Sequence, residues 1–382
     1  MALTVITGEI QAQPLNDNFS YLNQKLSDMV FNVKNYGAVG DGITDDTSAI
    51  QSAIDAAKAA GGGTVFFPYG TYITSGTLAV NSHNIFLVGS DAIITYSGSS
   101  YALDFQPIAS VFVVNARMDG ISIICSTAGA TGVRWRCGHS NAFDCDIVLM
   151  TSNQVGIEIV GDTNGTGCYY NTFKQFSVQG KRGITAGVTN QIGVKFTYDV
   201  ATPSRCPNAN NFIGGRVGQV DTAYIINGVG NVFFNPVCEG IITTVFDINN
   251  ADSATGCMDN AIFGCYVEGA ATATVFLVGS NAKRTILHPA ALTSIGTIIT
   301  DSGTDTIVLS PGTKYQIPLA PNPNVPLILY KTENVGVFIR YGTPEGVLTA
   351  GMGSICLNLN GGAGVSFYVK ESGVGNTGWI AK

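Results

Sequence analysis

The chain has 382 residues, of which 45% are hydrophobic, 12% are charged and 47 are glycine. So little charge excludes a protein built mainly from surface helices, and so much glycine favours short strands joined by tight turns with positive φ. The net charge is −7 and no block of lysine and arginine occurs. Nucleic acid is therefore excluded as a partner, because phosphate neutralisation needs a basic surface.

Membrane insertion and metal binding are not expected. The apolar runs stay shorter than the roughly 18 residues that a spanning helix needs, and the N-terminus MALTVITGEIQAQ is not typical of a secretory signal. The nine cysteines and three histidines form no C-x-x-C or H-x-x-x-H pair. We expect no metal and no cofactor, and we interpret the cysteines as buried free thiols.

Residues 1–30 are predicted to be an attachment or oligomerisation segment. Five apolar residues follow a heptad spacing over two heptads, which is too short for a stable isolated coiled coil. Such a segment makes sense where several copies of a larger subunit hold it together, and the alternative is one amphipathic helix packed on its own domain. The five residues are Leu15, Phe19, Leu22, Leu26 and Met29.

Residues 31–75 are predicted to form a cap with one short helix. Thr44–Asp46 supply N-cap chemistry, and Gly61–Gly63 end the helix. A helix placed before a long run of strands suits a lid over the open end of a β-solenoid. The apolar stripe of this helix is Ile50, Ile54 and Ala57.

Residues 76–295 carry an imperfect repeat that predicts a single-stranded parallel β-helix. An asparagine followed two positions later by an apolar residue recurs at irregular intervals, and a second strand series opened by small residues has the same rhythm. We expect the stacked asparagines to bond to each other and to turn backbone. Extra residues around 161–170, 180–190 and 199–209 are predicted to build a groove wall. The repeat asparagines are Asn141, Asn171, Asn210, Asn231 and Asn260.

Aligning the coils on these asparagines gives a register for the strands. Position +7 is apolar in every coil and is predicted to point inward, so positions +6 and +8 point outward. Glu239 and Glu268 then fall at the same outward position of adjacent coils. The +7 residues are Val148, Val178, Val217, Cys238 and Val267.

Residues 300–382 change character, because proline becomes frequent and the repeat stops. Alternating segments such as YQIPL, LILYK and VGVFIRYG predict an antiparallel β-sandwich that serves trimerisation or glycan binding. NGGAG, at 360–364, is predicted to be a hairpin turn.

The string VKNYGAVGDGITDDTSAIQSAIDAA, followed by GGTVFFPYGTY, resembles the N-terminal cap of the pectate-lyase-like superfamily, in the branch of bacteriophage tailspikes. The C-terminal hairpins resemble those of phage tail fibres. The resemblance implies an all-β fold with a right-handed parallel β-helix, and a homotrimer attached to the phage baseplate or tail through its N-terminus. It implies synthesis in the host cytoplasm and action at the bacterial surface. Asp41, Asp45 and Asp46 belong to the cap motif, and we interpret them as turn and capping residues.

The resemblance supplies no catalytic set. Gly138-His139 is followed by Ser140, and the other polygalacturonase elements are missing, as is the Y-G-F-D-P-H string of alginate epimerases. The hypothesis is therefore a tailspike that hydrolyses a bacterial surface polysaccharide with Glu239 and Glu268 as the carboxylate pair and Asp247 as a third candidate. The predicted substrate-binding residues are Arg216, Tyr266, Gln179 and Trp135.

Three alternatives stay open for these residues. The reaction is β-elimination on a uronic-acid glycan, or the protein binds glycan without cleaving it, or the V-x-E-G segments are merely structural turns. A groove between subunits would draw its acids from a different set, since its partners come from different chains. That set is Asp144, Asp146, Glu158, Asp162, Asp199 and Asp221.

Overall fold

The computed structural model describes residues 30–106, 115–136, 138, 143–161, 168–198, 206–248, 257–308, 327–330 and 335–382. The chain divides into two compact units, residues 1–313 and 314–382. The expected segment 1–30 lies outside the described residues except for Val30. Within the described part of the chain, no helix is long and apolar enough to cross a membrane.

Where the structure describes the first unit, it has one α-helix, α1 (Thr47–Ala59), and a short 3-10 helix, Val33–Tyr36. Its strands, in chain order, are β1 (Val30–Asn32), β2 (Asp41–Asp45), β3 (Gly63–Phe67), β4 (Gly70–Thr74), β5 (Leu78–Val80), β6 (Ile85–Tyr96), β7 (Tyr101–Phe105), β8 (Arg117–Cys125), β9 (Thr131–Trp135), β10 (Phe143–Leu149), β11 (Val155–Gly161), β12 (Thr172–Lys174), β13 (Ser177–Gln179), β14 (Ile192–Tyr198), β15 (Asn211–Ile213), β16 (Arg216–Gly218), β17 (Thr222–Ile226), β18 (Val232–Phe234), β19 (Val237–Glu239), β20 (Thr244–Ile248), β21 (Cys257–Met258), β22 (Ala261–Val278), β23 (Ala282–Lys283), β24 (Ile286–Asp301) and β25 (Ile307–Val308).

These strands form the predicted parallel β-helix. Every pairing among them is parallel, and each strand pairs with its equivalent in the next coil, as in the series β12, β15 and β18. Each coil contributes to three sheets, which we call first, second and third in chain order; β13, β16 and β19 belong to the second, and β14, β17 and β20 to the third. Parallel pairing continues to Val308, past the expected end at residue 295.

The asparagine column is a hydrogen-bonded ladder inside the helix. The side-chain Nδ2 of Asn171 donates to Oδ1 of Asn210 at 2.9 Å, Asn210 donates to Asn231 at 3.0 Å, and Asn231 donates to Asn260 at 3.1 Å. All four side chains are buried. Nδ2 of Asn231 also donates to the carbonyl of Pro207. The predicted bonding of the asparagines to each other and to turn backbone is therefore confirmed.

The apolar residue two positions after each asparagine fills the interior beside the ladder. The rings of Phe173, Phe212 and Phe233 stack on one another with centroids 4.6 Å apart. Because parallel strands pair in register, equivalent side chains of successive coils lie one above the other, and Ile262 takes this position after Phe233. The eight cysteines that the structure describes are all buried and free, as expected.

A second polar column at the turn after the second sheet was not predicted. Gln154 and Gln191 are fully buried, and their Nε2 groups donate to carbonyls of the preceding coil, including those of Cys125 and Leu149. Their Oε1 atoms accept backbone N–H groups, those of Thr151 and Lys181. These amides satisfy backbone groups that the turn leaves without partners in the sheets.

The cap covers the N-terminal end of the helix as predicted. Ile50, Ile54 and Ala57 of α1 are buried. The amide of Gln51 accepts from the N–H of Ala79 at 2.9 Å and donates to its carbonyl at 3.1 Å, so it pairs with β5 as a strand would. The exposed edge at this end is therefore partly satisfied by a side chain of the lid.

The acidic residues of the cap motif have the structural roles predicted for them. Asp41 accepts from the N–H groups of Ile43 and Thr44. Asp46 is buried and accepts from the N–H of Val39 at 2.7 Å and that of Gly40 at 3.0 Å. Asp45 accepts from the N–H of Thr47 at the start of α1, and from the hydroxyls of Thr47 and Ser75 at 2.5 Å. None of the three is left for catalysis.

Replacing Asp45 with Asn should reduce the acid sensitivity of the fold. The hydrogen bonds from Ser75 and Thr47 lower the pKa of Asp45 from 3.8 to about 2. Because the folded pKa lies below the unfolded one, this stabilisation is present above pH ~4 and is lost as the pH falls through about 2. Tm measured by circular dichroism from pH 7 to pH 2 should fall less steeply in Asp45→Asn than in the native protein.

The matched control is Asp55→Asn on the exposed side of α1. Its Tm profile should follow that of the native protein, because no comparable set of hydroxyl and backbone donors surrounds Asp55. If Tm fell equally steeply below pH ~4 in Asp45→Asn and in the native protein, Asp45 would not be a source of the acid sensitivity. At neutral pH, Asp45→Asn should cost less than about 1 kcal/mol, because asparagine keeps an oxygen that accepts at this position.

The second unit contains one described sheet of five strands, β26 (Leu327–Tyr330), β27 (Val335–Arg340), β28 (Ile355–Asn358), β29 (Phe367–Lys370) and β30 (Trp379–Ala381). Strands β28–β30 are antiparallel as expected, whereas β27 and β28 are parallel. Among the described residues these strands form one sheet, and the second sheet of a sandwich stays a prediction. NGGAG joins β28 to β29 with Gly364 at a φ of +79°, so the predicted hairpin is confirmed.

Candidate active site

Two glutamates lie side by side on the outer face of the second sheet. Strands β19 and β22 pair in parallel with Glu239 directly opposite Glu268, so their backbones are about 4.8 Å apart. Both are followed by a glycine with positive φ, Gly240 and Gly269, where the chain turns toward the third sheet. The inward residues Val178, Val217, Cys238 and Val267 are buried, so the predicted register is confirmed in these four coils.

Glu239 is held by a guanidinium from the preceding coil. Arg216 on β16 donates to Oε2 of Glu239 from Nε at 2.9 Å and from Nη2 at 2.6 Å. Its Nη1 donates to Oε1 of Gln179, one coil further back, at 2.7 Å. Arg216 therefore spans three coils and fixes the orientation of Glu239, although an exposed pair of this kind contributes little to stability.

Gly218 makes the path of Arg216 possible. It occupies the position of Glu239 in the preceding coil. A Cβ at Gly218 would lie 2.9 Å from Oε1 of Gln179 and 3.4 Å from Nη2 of Arg216. A Cβ there would push the amide of Gln179, which accepts from Nη1 of Arg216, and would touch the guanidinium, so the glycine leaves room for this arrangement.

Glu268 has a neutral partner. The hydroxyl of Tyr266, two residues earlier on the same strand, donates to Oε2 of Glu268 at 2.5 Å. This hydrogen bond, followed by desolvation and by the charges of Glu268 and Glu239, raises the pKa of Tyr266. The two carboxylates thus share one face but differ in environment, since one contacts a cation and the other a phenol.

The register predicted for the coil of Asn141 is wrong. Val148 was expected to point inward, but Ile147 pairs with the buried Val178, and Val148 pairs with Gln179. Ile147 follows Phe143 by four positions, whereas Val178 follows Phe173 by five, so the corner is shorter. A slip of one residue exchanges the two faces of a strand.

The corrected register brings Asp146 into the outward column that contains Ser177 and Arg216. The asparagine spacing missed this residue. The alternation of polar and apolar residues within DCDIVL (144–149) was the signal that would have found it, because Asp144 and Asp146 are exposed while Cys145 is buried.

A small cavity of about 90 Å³ adjoins Asp146 at the corner before the second sheet. Three carboxylates line it, those of Asp91, Asp144 and Asp146. Burial, followed by the charges of Asp119 and Asp146, raises the pKa of Asp144. Within the described ranges, no group of three or more His, Cys, Asp or Glu side chains has the arrangement of a metal site.

Asp247 is not brought together with the glutamate pair. It lies on β20 in the third sheet, between Ile225 and Leu277 of the neighbouring coils. Burial raises the pKa of Asp247, and its Oδ1 is buried with no hydrogen-bond partner. It is the partly exposed residue of its strand, as predicted.

Trp135 is a core residue, and the prediction that it binds substrate is wrong. The side chain is 2% exposed, packs 4.4 Å from the ring of Phe105, and donates from Nε1 to Asn171. Successive side chains of a strand point to opposite faces, so Trp135 points inward while Arg134 and Arg136 point outward. Both arginines instead bind the buried carboxylate of Asp104.

The acids considered for a groove between subunits have varied environments. Asp221 pairs with Arg182 at 2.6 Å, and Glu158 accepts from the hydroxyl of Thr197. Asp162 and Asp199 lie outside the described residues, as do large parts of the extra loops at 161–170 and 199–209. Residues 180–190 are described, and they form turns beyond the end of β13.

Comparison with known proteins gives a partial family match. Residues 30–195 match the model of the family "Rhamnogalacturonase A/epimerase, pectate lyase-like". Glu239 and Glu268 lie outside the matched residues. Mannuronan C5-epimerase AlgE3 of Azotobacter vinelandii is 55% identical over 69 residues, which is 16% of this chain and 4% of that protein. The chain therefore spans only a small part of this relative.

Solved structures with a similar backbone include a phage tailspike and a bacterial surface adhesin. A tailspike from Acinetobacter baumannii bacteriophage Fri1, described as a capsular polysaccharide depolymerase, is 13% identical, with coverage of 73% of this chain and 57% of that one and a TM-score of 0.45. The adhesin PfbA of Streptococcus pneumoniae is 14% identical, with coverage of 92% and 98% and a TM-score of 0.43. The parallel β-helix follows from the strand pairings of the first unit, and the match in sequence to the pectate lyase-like family model is limited to residues 30–195.

Proposed function

We propose that this protein binds a bacterial surface polysaccharide along the outer face of the second sheet and hydrolyses its glycosidic bonds there. The observation that carries the proposal is the pairing of Glu239 with Glu268 in register, with a guanidinium on one and a phenol on the other. Two neighbouring carboxylates in unlike environments are what glycoside hydrolysis uses for its acid and its base. The pectate lyase-like family match supports a polysaccharide as the ligand.

The contacts suggest a role for each group. Glu268 acts as the acid: its Oε2 accepts from Tyr266, which leaves Oε1 to carry the proton that passes to the glycosidic oxygen as its bond to the anomeric carbon breaks. Glu239, oriented by Arg216, takes a proton from the water whose oxygen bonds to that carbon, or bonds to the carbon first and is displaced by water. One water is consumed in either case, and the stereochemical outcome stays open.

The test is incubation of the purified protein with capsule and lipopolysaccharide from a panel of host bacteria. Shortened polymer with new reducing ends and no unsaturated product is the expected result. New absorbance from an unsaturated uronate would replace hydrolysis with β-elimination. Polymer that is bound but never shortened would overturn the enzymatic proposal.

A binding function without cleavage is the second candidate. It is favoured by the hydrogen bonds that Glu239 and Glu268 already make, because such contacts also suit a rigid binding face. The name of the pneumococcal relative, a plasmin- and fibronectin-binding protein that is 45% identical over 87 residues, agrees with a binding role. The host panel separates the two candidates.

Attachment to a virion tail as a homotrimer is part of the same proposal. It rests on the likeness of the cap to phage tailspikes and on the heptad spacing between Leu15 and Met29. In this arrangement residues 1–30 join the phage baseplate or tail, and the second unit serves trimerisation or glycan binding. Light scattering on the purified chain should give three times the monomer mass.

Replacing Arg216 with Gln should lower kcat by about 10–10²-fold with little change in KM. Glu239 would lose both of its guanidinium contacts, and a misplacement of about 1 Å has a cost of this size. Arg216 acts here by positioning Glu239, so kcat and KM must be measured separately, and a fall in kcat alone supports this role. Lys181→Gln, in the turn beyond β13, is the matched control and should leave both constants unchanged. A rise in KM alone would assign Arg216 to substrate binding.

A further inference from the structure

The charge on the outer face of the second sheet limits which glycans it can accept. We propose that the glycan bound there consists of neutral or amino sugars and lacks uronic acids, an inference that rests on the proposed function. Among the described residues at outward positions of the second-sheet strands, Arg216 is the one cation. Asp146, Glu239 and Glu268 lie on the same face.

The charge of Arg216 is already matched by a carboxylate of the protein. Three of its five N–H groups donate, two of them to Glu239 and one to Gln179. A uronate that bound the remaining N–H groups would share this one cation with Glu239. The two carboxylates would then repel each other, so the contact adds little affinity.

The acidic corner cavity adds charge of the same sign. Arg117, at the end of the first sheet, is paired with Asp119, while Asp91 and Asp144 line the cavity without a described ion pair. Clefts lined by one sign of charge repel ligands of that sign over roughly a Debye length, about 10 Å in dilute salt. A polyuronate would meet this potential along several sugars.

The N-terminal part of the face carries no charge in β4, β6 and β8. Its outward side chains are aliphatic groups and hydroxyls, which suit the C–H faces and hydroxyls of uncharged sugars. These three strands therefore offer apolar contact and hydrogen bonds, whereas the strands from β10 to β22 carry the negative charge. Asp41 and Asp45 of β2, beside Thr71 and Ile73, are already bonded within the cap. The outward residues of β4, β6 and β8 are Thr71, Ile73, Ile93, Thr95, Ser122 and Ile124.

The test compares one polysaccharide before and after its primary alcohols are oxidised to carboxylates. Bacterial surface polysaccharides are immobilised, and retention of Glu268→Gln, which binds without turnover under the proposed function, is measured at low and at high salt. Polymers that retain the protein should lack uronic acids, and their oxidation should weaken retention about tenfold at low salt, with much of the loss recovered near 1 M salt. Asp146→Lys, which places a cation on the exposed face, should reduce the difference in retention between the native and the oxidised polymer.

The outcomes distinguish this inference from the function on which it rests. Retention chiefly by polyuronates, or equal retention before and after oxidation, would overturn the inference and leave the proposed function standing. Retention by no polymer in the panel would overturn the proposed function and the inference together. Lys181→Gln, beyond the edge of this face, should not change the preference.

Discussion

Glu239→Gln and Glu268→Gln should each abolish most depolymerisation while the protein still binds its glycan. Removing a positioned acid or base costs about 10²–10⁴-fold in rate. Glutamine keeps the shape of the side chain and can still accept from Arg216 or Tyr266, so the fold and the binding face should change little. Reducing-end release from a susceptible host polysaccharide, measured beside retention on that polymer, is the experiment.

The double variant sharpens this prediction. If the two carboxylates act in one reaction, the combined loss should be far smaller than the product of the single losses, because either substitution already disables the step. Asp247→Asn is the matched control, since Asp247 lies in the third sheet, and it should retain activity. Full activity in both single variants would remove this pair from the mechanism and direct attention to the acids of the corner cavity.

The fold was largely predictable because one repeated residue has one repeated role. Each asparagine of the ladder is needed by the coil next to it, so the spacing of asparagines records the length of each coil. The same spacing placed Glu239 opposite Glu268. Both glutamates lie eight residues after their asparagine, and the corners between are of equal length, so the two strands pair in the same register. The corner after Phe143 is one residue shorter. The residue count therefore gave the wrong register there and did not place Asp146 on the outer face of the second sheet.

The partners of the candidate residues were less predictable than their positions. Arg216 reaches Glu239 over 23 residues and Gln179 over 37, separations that depend on loops of irregular length. The room for this contact comes from Gly218, which no sequence pattern distinguishes from a turn glycine. The burial of Trp135 follows from alternation alone, since Arg134 and Arg136 on either side of it bind Asp104 on the outside of the strand.

Replacing Asn231 with Ala should destabilise the β-helix by about 3–6 kcal/mol, since it leaves several buried polar groups without partners at about 1–3 kcal/mol each. Oδ1 of Asn231 accepts from both the backbone N–H and the side-chain Nδ2 of Asn210, at 3.1 and 3.0 Å. Its Nδ2 donates to Oδ1 of Asn260 and to the carbonyl of Pro207. Alanine offers none of these groups, and a water molecule has little access to a fully buried column.

Urea unfolding followed by circular dichroism measures this loss, and Asn211→Thr is the matched control. Asn211 lies one residue beyond the ladder, points outward, and pairs with Thr172 and Val232 on the neighbouring coils, so threonine should fit there within about 0.5 kcal/mol. Equal midpoints for the two variants would mean that the ladder is not what holds successive coils in register. A large loss confined to Asn231→Ala would instead tie the stability of the helix to the same column that aligns Glu239 with Glu268.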